Sequence, residues 1–303
     1  IYSTDNMNES LSFMCDKASF AVASIKDDTH SFIAYYDDTM LEAAIKYKTI
    51  VDEFDDAIKA GEFKMYLQPQ ISAKTRRLTG AEALVRRIKP DGTIISPIDF
   101  IPVYEKSGLI SRLDRYIWEQ AAAKLGEWKK AGINMSISVN ISPKDFYYID
   151  IFNTFAGLIK KYDIEPSNLK IEITETTIMS DVPNLMGELE ELRKAGFTLE
   201  MDDFGSGYSS LNTLKDINVD VLKVDMGFIK ETKNVKKSRI ILASVIKMAK
   251  ELNLLIITEG VETEEQVDNL TKLGCDVFQG YYFSKAIDVN EFEKRYLYRK
   301  KAG

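Results

Sequence analysis

Eight short runs rich in β-branched and aromatic residues follow one another from Lys64 onward: "KMYLQPQIS", "RLTGAEALVRR", "INMSISVNIS", "LKIEITET", "FTLEMDDFG", "VDVLKVDMG", "LLIITEGVE" and "CDVFQGYYF". Between most of them lie stretches with apolar residues at helical spacing: Pro97 to Ser107, Leu113 to Ala131, Val182 to Ala195, Ser238 to Leu252 and Thr263 to Leu273. Strand alternating with helix is the pattern of parallel strands joined by crossover helices. Eight repeats fit a closed (β/α)8 barrel better than an open sheet.

The first 60 residues read differently. "LSFMCDKASFAVASIKDD" predicts an amphipathic helix and "HSFIAYYDD" a strand. Met40 to Ala60 predicts one helix, with Leu41, Ala44, Ile45, Tyr47, Ile50, Val51, Phe54 and Ile58 on its apolar face. One helix and one strand cannot bury two faces of their own, so this segment reads as the tail of a truncated upstream domain followed by a connecting helix. The resulting division is residues 1–39, a linker helix at 40–61 and a barrel at 62–303.

Several chemistries are excluded by what the chain lacks. At 303 residues and 45% hydrophobic content it can build a sizeable core. No long apolar run and no basic-then-apolar start are present, which predicts a cytosolic chain without membrane contact, and a start at Ile1 predicts a fragment. Cys15 and Cys275 are far apart and form neither a disulfide framework nor a zinc pattern. His30, the one histidine, falls outside the barrel, so histidine-based nucleophilic chemistry and zinc hydrolysis are set aside. A formal charge of −7 argues against a nucleic-acid polymer or an anionic membrane as partner. An anionic ligand must be held locally, by metals or by a few cations.

In a (β/α)8 barrel the informative positions are the C-terminal strand ends. Taken in order they are Glu82, Asn140, Glu172, Asp202 with Asp203, Lys223, Glu259 and Gln279. One polar strand end is unremarkable, but seven consecutive ones aimed at a single mouth are not a chance outcome. Two like charges near 4 Å cost roughly 4 kcal/mol at an effective dielectric of about 20 if both stay ionised. Either some of these carboxyls are protonated, or divalent cations occupy the mouth beside Lys223. Oxygen ligands with one amide select Mg²⁺ or Mn²⁺ over zinc, and two such ions are the usual device for in-line phosphodiester hydrolysis. Asp202 and Asp203 are adjacent, so one can point into the mouth while the other turns along the loop.

Seven motifs in order carry a resemblance: "AEALVRR" (Ala81 to Arg87), "SVNIS" (Ser138 to Ser142), "IEITET" (Ile171 to Thr176), "MDDFGSGYSSL" (Met201 to Leu211), "LKVD" (Leu222 to Asp225), "TEGVET" (Thr258 to Thr263) and "FQGYYFSKA" (Phe278 to Ala286). Roughly from residue 62 to 298 the chain resembles the EAL-domain phosphodiesterases. The resemblance implies a barrel with an atypical first strand and hydrolysis of the bacterial second messenger cyclic di-GMP to linear pGpG. It also implies that Glu82, Asn140, Glu172 and Asp202 are ligands of a first metal and Asp203 of a second. By the same resemblance Lys223 holds the attacking water, and Glu259 and Gln279 complete the shell. Gln68 and Arg86 contact the dinucleotide. Glu175 anchors the loop from Phe204 to Ser210, where Gly205 and Gly207 permit the turn, and Glu262 is a further carboxylate. The family forms homodimers, and "KNVKK" (Lys233 to Lys237) falls near that interface.

Departures from the family pattern are Arg87 for a tryptophan, Lys89 for a histidine and "DMGF" for "DRSF". They touch substrate affinity and packing rather than the ligand set. Leu11 to Asp38 is similar to the last helix and strand of a GGDEF domain, the usual upstream partner. The alternative to an enzyme is a cyclic di-GMP receptor that signals without cleavage, against which the complete ligand set weighs. Tyr281, Tyr282 and Phe283 read as packing of the last strand.

Overall fold

The computed structural model describes residues 1–3, 8–25, 32–180, 182, 184–204, 214–215, 217–227 and 235–298. His30, Gly205, Gly207 and, of "KNVKK", Lys233 and Asn234 lie outside the described residues. Strands β1 (Phe63–Ser72), β2 (Leu78–Ile88), β4 (Ile137–Ile141), β5 (Leu169–Thr174), β6 (Leu199–Phe204), β7 (Val221–Asp225), β8 (Leu255–Glu259) and β9 (Val277–Phe278) fall on the eight expected runs. They pair in the order β1-β2-β4-β5-β6-β7-β8-β9, and β9 returns to β1, which closes the barrel. The pairs from β2 to β9 are parallel, while β1 is antiparallel to both neighbours. The reason is local: β1 and β2 are joined by a short turn at Ala73–Arg77, too short for the crossover that parallel strands require. Two short strands, β3 (Ile94–Ile95) and β10 (Ile287–Asp288), extend β2 and β1 outside the ring.

The helices between strands are α4 (Pro97–Ser107), α5 (Ile110–Lys130), α6 (Asp145–Tyr148), α7 (Ile151–Tyr162), α8 (Glu175–Ile178), α9 (Leu185–Lys194), α10 (Val235–Glu251) and α11 (Glu264–Leu273). Their ends follow the sequence chemistry. Thr263 and Gln266 form a reciprocal capping box on α11, Pro97 opens α4, and Gly108 closes it at φ 78. Outward-facing strand residues pack against this helical layer: Ala81 and Ala83, Ile137 and Val139, Leu169 and Ile171, Leu199 and Met201, Leu222 and Val224 belong to one buried core.

The N-terminal region departs from expectation in two places. Helix α1 (Leu11–Ser24) forms, but residues 32–37 make no strand. Apart from the Asp37 carbonyl, which accepts from Met40 N–H at the start of the next helix, their backbone among the described residues meets Ile1: the Tyr36 N–H donates to Ile1 O at 2.8 Å, and the Ile1 ammonium donates to Ala34 O at 2.5 Å. One residue is not a ladder, and Phe32, Ile33 and Tyr35 are left 90%, 64% and 69% exposed. The single helix expected over 40–60 is two, α2 (Asp38–Asp52) and α3 (Phe54–Lys59), meeting at Glu53. After the break Phe54 and Ala57 turn into the core, whereas Ile45 stays 58% exposed. Glu53 there meets the barrel: Arg87 Nη2 lies 2.6 Å from its carboxylate, and Arg87 Nε lies 2.9 Å from that of Glu62. Arg87 is thus a buried clamp between the barrel and the end of α2, next to an aromatic cluster of Phe54, Phe63, Phe100 and Tyr104.

Candidate active site

Period-two alternation decides which side chains meet inside the barrel. The residues between the outward ones face the interior, and at the C-terminal ends these are Glu82, Asn140, Glu172, Asp202, Lys223, Glu259 and, just past β9, Gln279. Lys223 is fully buried, with its Nζ 2.9 Å from Glu172 Oε2, 2.9 Å from Glu259 Oε1, 3.2 Å from Asp202 Oδ2 and 3.3 Å from Glu82 Oε2. Burial alone would pull its pKa down. The carboxylates of Asp202, Glu172, Glu259 and Glu82 outweigh that and hold it well above the usual lysine value. Lys223 is therefore an ammonium, a donor and not a base. The reverse holds for its partners: burial first, then repulsion within the cluster, raises Glu172 and Glu259 well above the ordinary carboxylate range. With all four ionised, the carboxylates on this one cation leave a surplus of negative charge, which adds to burial in raising Glu172 and Glu259.

A chain of amides ties the mouth to the reversed strand. Gln279 Nε2 donates to Glu82 Oε2 and, at 3.2 Å, to Gln68 Oε1; Gln70 Nε2 donates to Gln279 Oε1 at 3.2 Å. Asn140 Nδ2 reaches Glu82 Oε1 at 3.5 Å, and the Asn140 carbonyl accepts from the Trp118 indole of α5 at 2.9 Å. The antiparallel β1 is what brings Gln68 and Gln70 to this ring. Gln279 is seated by a tight crossing, in which Val261 N–H donates to Gln279 O and Tyr282 N–H donates to Val261 O. A Cβ on Gly280 would stand 2.2 Å from Val261 O, so this position requires glycine.

The adjacent aspartates are accommodated by a bulge. Met201 is opposite Leu222 and Phe204 opposite Val224, so Asp202 and Asp203 together face Lys223. Asp203 takes φ 56, a left-handed conformation that aspartate tolerates, and its N–H donates to Asp202 Oδ1 at 2.8 Å. Asp202 thereby points at Lys223 while Asp203 stands exposed at the rim, where desolvation and the Asp202 charge raise its pKa.

Other expected residues sit around this ring. Glu175 opens α8 directly after β5 and is buried. Arg86 is half-buried, with its guanidinium 5.9 Å from the Tyr66 ring. Glu262 is exposed on the rim of a cavity of about 400 Å³ that also touches Gln68, Glu82, Glu259 and Gln279. The larger hollows, about 520 and 690 Å³, lie among the outer helices and loops and collect no comparable set of acids. Tyr281 and Tyr282 are 62% and 42% exposed, against the expectation of strand packing, because β9 ends at Phe278; only Phe283 packs on the core. Gln70 and Trp118 join the site without being strand-end residues, so no signal of position marks them in the sequence. Also missed is a layer beneath the ring whose signal is present: Ser138, Lys170 and Glu200 lie two residues before Asn140, Glu172 and Asp202 and share their face.

Among the described residues no group of three acidic, cysteine or histidine side chains is arranged as a cation cage, since the carboxylates point at the Lys223 ammonium. The donor chemistry nonetheless fits a hard divalent ion. Four carboxylates and an amide offer oxygen alone, and Glu172 Oε1 is buried without a hydrogen-bond partner. No helix among the described residues is long and apolar enough to cross a membrane.

The sequence profile of the family described as "EAL domain" matches residues 51–286. The chain is 36% identical over 239 residues to "Signaling protein YkoW" of Bacillus subtilis, spanning 79% of this chain and 30% of that protein. It is 30% identical over 275 residues to "Bifunctional diguanylate cyclase/cyclic di-GMP phosphodiesterase MucR" of Pseudomonas aeruginosa, spanning 90% of this chain and 40% of that one. The chain thus spans less than half the length of these curated relatives. A solved structure described as "PaMucR Phosphodiesterase, c-di-GMP complex" superposes with a TM-score of 0.75 at 32% identity, covering 80% of this chain and 99% of that chain. A TIM-type barrel with one reversed strand, and a profile match over most of its length, together mean that this chain belongs to the EAL domain family.

Proposed function

We propose that this chain is a divalent-cation-dependent phosphodiesterase that hydrolyses cyclic di-GMP to linear pGpG. The observation that carries the reading is the gathering of Glu82, Glu172, Asp202 and Glu259 on the Lys223 ammonium at the C-terminal mouth of an EAL barrel. Relatives named as cyclic di-GMP phosphodiesterases and a neighbouring structure in complex with that nucleotide support the choice of substrate.

In this reading Glu82, Asn140, Glu172 and Asp202 hold a first Mg²⁺ or Mn²⁺, and Asp203 helps to hold a second. Bound there, the cations supply charge neutralisation and polarisation at the scissile phosphate. Lys223 orients the attacking water by donation and stabilises negative charge as it develops on the phosphate oxygens. Asp203, at the rim beside Asp202, completes the second cation's shell and helps to position that water. Arg86 offers paired donors to the phosphate, while Gln68 and Gln279 fix the nucleotide against the reversed strand. Glu259 balances Lys223, and Glu175 anchors the loop after β6.

Residues 62–303 form the catalytic unit in this proposal, 40–61 the linker, and 1–39 the end of a GGDEF-like domain. The exposed Phe32, Ile33 and Tyr35 support an upstream GGDEF or sensory domain covering that face. The unit acts in the cytoplasm as a homodimer and contacts neither membrane nor nucleic-acid polymer.

The test is incubation with cyclic di-GMP and Mn²⁺ or Mg²⁺, with and without chelator, followed by nucleotide separation. Metal-dependent linear pGpG is the expected product. Cleavage by a metal-free preparation would contradict the cation requirement, and cyclic di-GMP bound but unchanged would make the chain a receptor.

A further inference from the structure

One layer below the active-site ring, the barrel interior is divided. On β7, β8 and β9 the inward residues are Val221, Ile257 and Val277, which form a small apolar cluster of their own. On β4, β5 and β6 the equivalent positions are Ser138, Lys170 and Glu200. Glu200 is fully buried; its Oε1 lies 2.9 Å from Lys170 Nζ, and its Oε2 accepts from Ser138 Oγ at 2.8 Å. Glu200 is the register partner of Glu172 on the neighbouring strand and stands two residues before Asp202. The Lys170 side chain retains 17% exposure and that of Glu200 none, so the pair has a direction, with its anion in the closed interior beside Glu172 and its cation on the side that reaches solvent.

Buried ion pairs are poor stabilisers, and apolar residues of similar volume often replace them at no cost to the fold. The other half of this same layer is built that way. A barrel that can fill its floor with valine and isoleucine does not need an ion pair there for packing. The position of the pair, next to two of the carboxylates proposed to hold cations, suggests what it does instead. A carboxylate beneath them adds negative potential where cations must be held, and its bonds to Lys170 and Ser138 fix it there.

We propose that Lys170 and Glu200 are positioning residues of the site, an oriented ion pair that raises its affinity for divalent cations. This rests on the phosphodiesterase reading for the identity of the reaction, but not for its test. The probe is Mn²⁺ alone, titrated by calorimetry and electron paramagnetic resonance into the full chain without nucleotide. Two paired variants are compared with the wild type: Lys170→Met/Glu200→Leu, which extends the apolar floor, and Lys170→Gln/Glu200→Gln, which keeps hydrogen bonding but removes both charges.

The expected result is a Mn²⁺ affinity lowered about tenfold in both variants, with thermal unfolding close to wild type. If cyclic di-GMP is cleaved, kcat at fixed Mn²⁺ should fall while KM for the nucleotide stays unchanged. Wild-type Mn²⁺ affinity in either folded variant would overturn the proposal. Failure of both variants to fold would also overturn it, because the pair would then be holding the barrel. A wild type that binds Mn²⁺ but does not cleave would count against the phosphodiesterase reading alone, while the affinity ratio still decides this one.

Discussion

Arg87 and Lys223 are both buried cations on barrel strands, and their surroundings differ in stoichiometry. Arg87 faces outward and meets two carboxylates, Glu53 and Glu62, each with some access to solvent. Lys223 faces inward and meets four, of which Glu172 is fully buried. The first arrangement is charge-balanced, because Lys89 also lies 3.4 Å from Glu53, as expected of a clamp between α2 and the barrel. The second is an excess that, after burial itself, raises the pKa of Glu172 and Glu259 when no metal is bound, as expected of a place that takes up further cations. Burial of charge is common to both; only the over-matched one is poised for chemistry.

The largest effect should come from removing the overmatched cation. Lys223→Met leaves four converging carboxylates without their ammonium, which should lower stability by about 3–5 kcal/mol in metal-free buffer and turnover by at least about 100-fold. Denaturant unfolding and pGpG production measure the two. Arg87→Met should separate them: a loss of about 2 kcal/mol, because Glu53 and Glu62 can be resolvated, with turnover within about twofold of wild type. A variant at Arg87 that lost turnover as completely as one at Lys223 would erase the distinction.

Adding the missing charge should act in the opposite sense. Saturating Mn²⁺ at about 100 times its dissociation constant should stabilise the wild type by about 2.7 kcal/mol, and should do so much less in Asp202→Asn. The smallest effect concerns an acid with no ion-pair partner among the described residues. Asp145, at the start of α6, is fully buried, and burial pushes its pKa up to about 6. A raised folded-state carboxyl pKa stabilises fully below the unfolded value, and that contribution is lost as pH rises through the folded one. Wild-type stability should therefore fall as pH rises from about 4 through 6, from this group together with Asp114, the neighbouring acid that shares a hydrogen bond with it. Asp145→Asn, which keeps an acceptor for the Ser142 N–H, should flatten that fall; an unchanged pH profile would contradict the assignment.

Much of this was legible in the sequence because it depends on period and order. The eight strand runs and the polar residues at their ends could be read directly, as could the need for a counter-charge near Lys223. What depended on neighbours could not. The reversal of β1 follows from its short turn to β2, yet the amide chain through Gln68, Gln70 and Gln279 is visible only once the ring closes. Nothing in "MDDFG" announces that the two aspartates share one bulge. Arg87 reads from the sequence as touching both substrate affinity and packing, and the alternation that sends it outward to Glu53 makes it a matter of packing. Residues 32–37 have strand composition, but the one segment that pairs with them among the described residues is Ile1. Glu200 and Lys170 were missed although the same alternation that found Asp202 and Glu172 marks them.

The most direct test of the contrast between the two cations is a Mn²⁺ titration of the metal-free wild-type chain at neutral pH, followed by electron paramagnetic resonance, with Asp202→Asn and Arg87→Met in parallel. The expected result is saturable binding that Asp202→Asn weakens and Arg87→Met leaves unchanged. Absence of binding in the wild type, or equal loss in both variants, would contradict the view that surplus carboxylate at Lys223 is what makes this mouth a cation site.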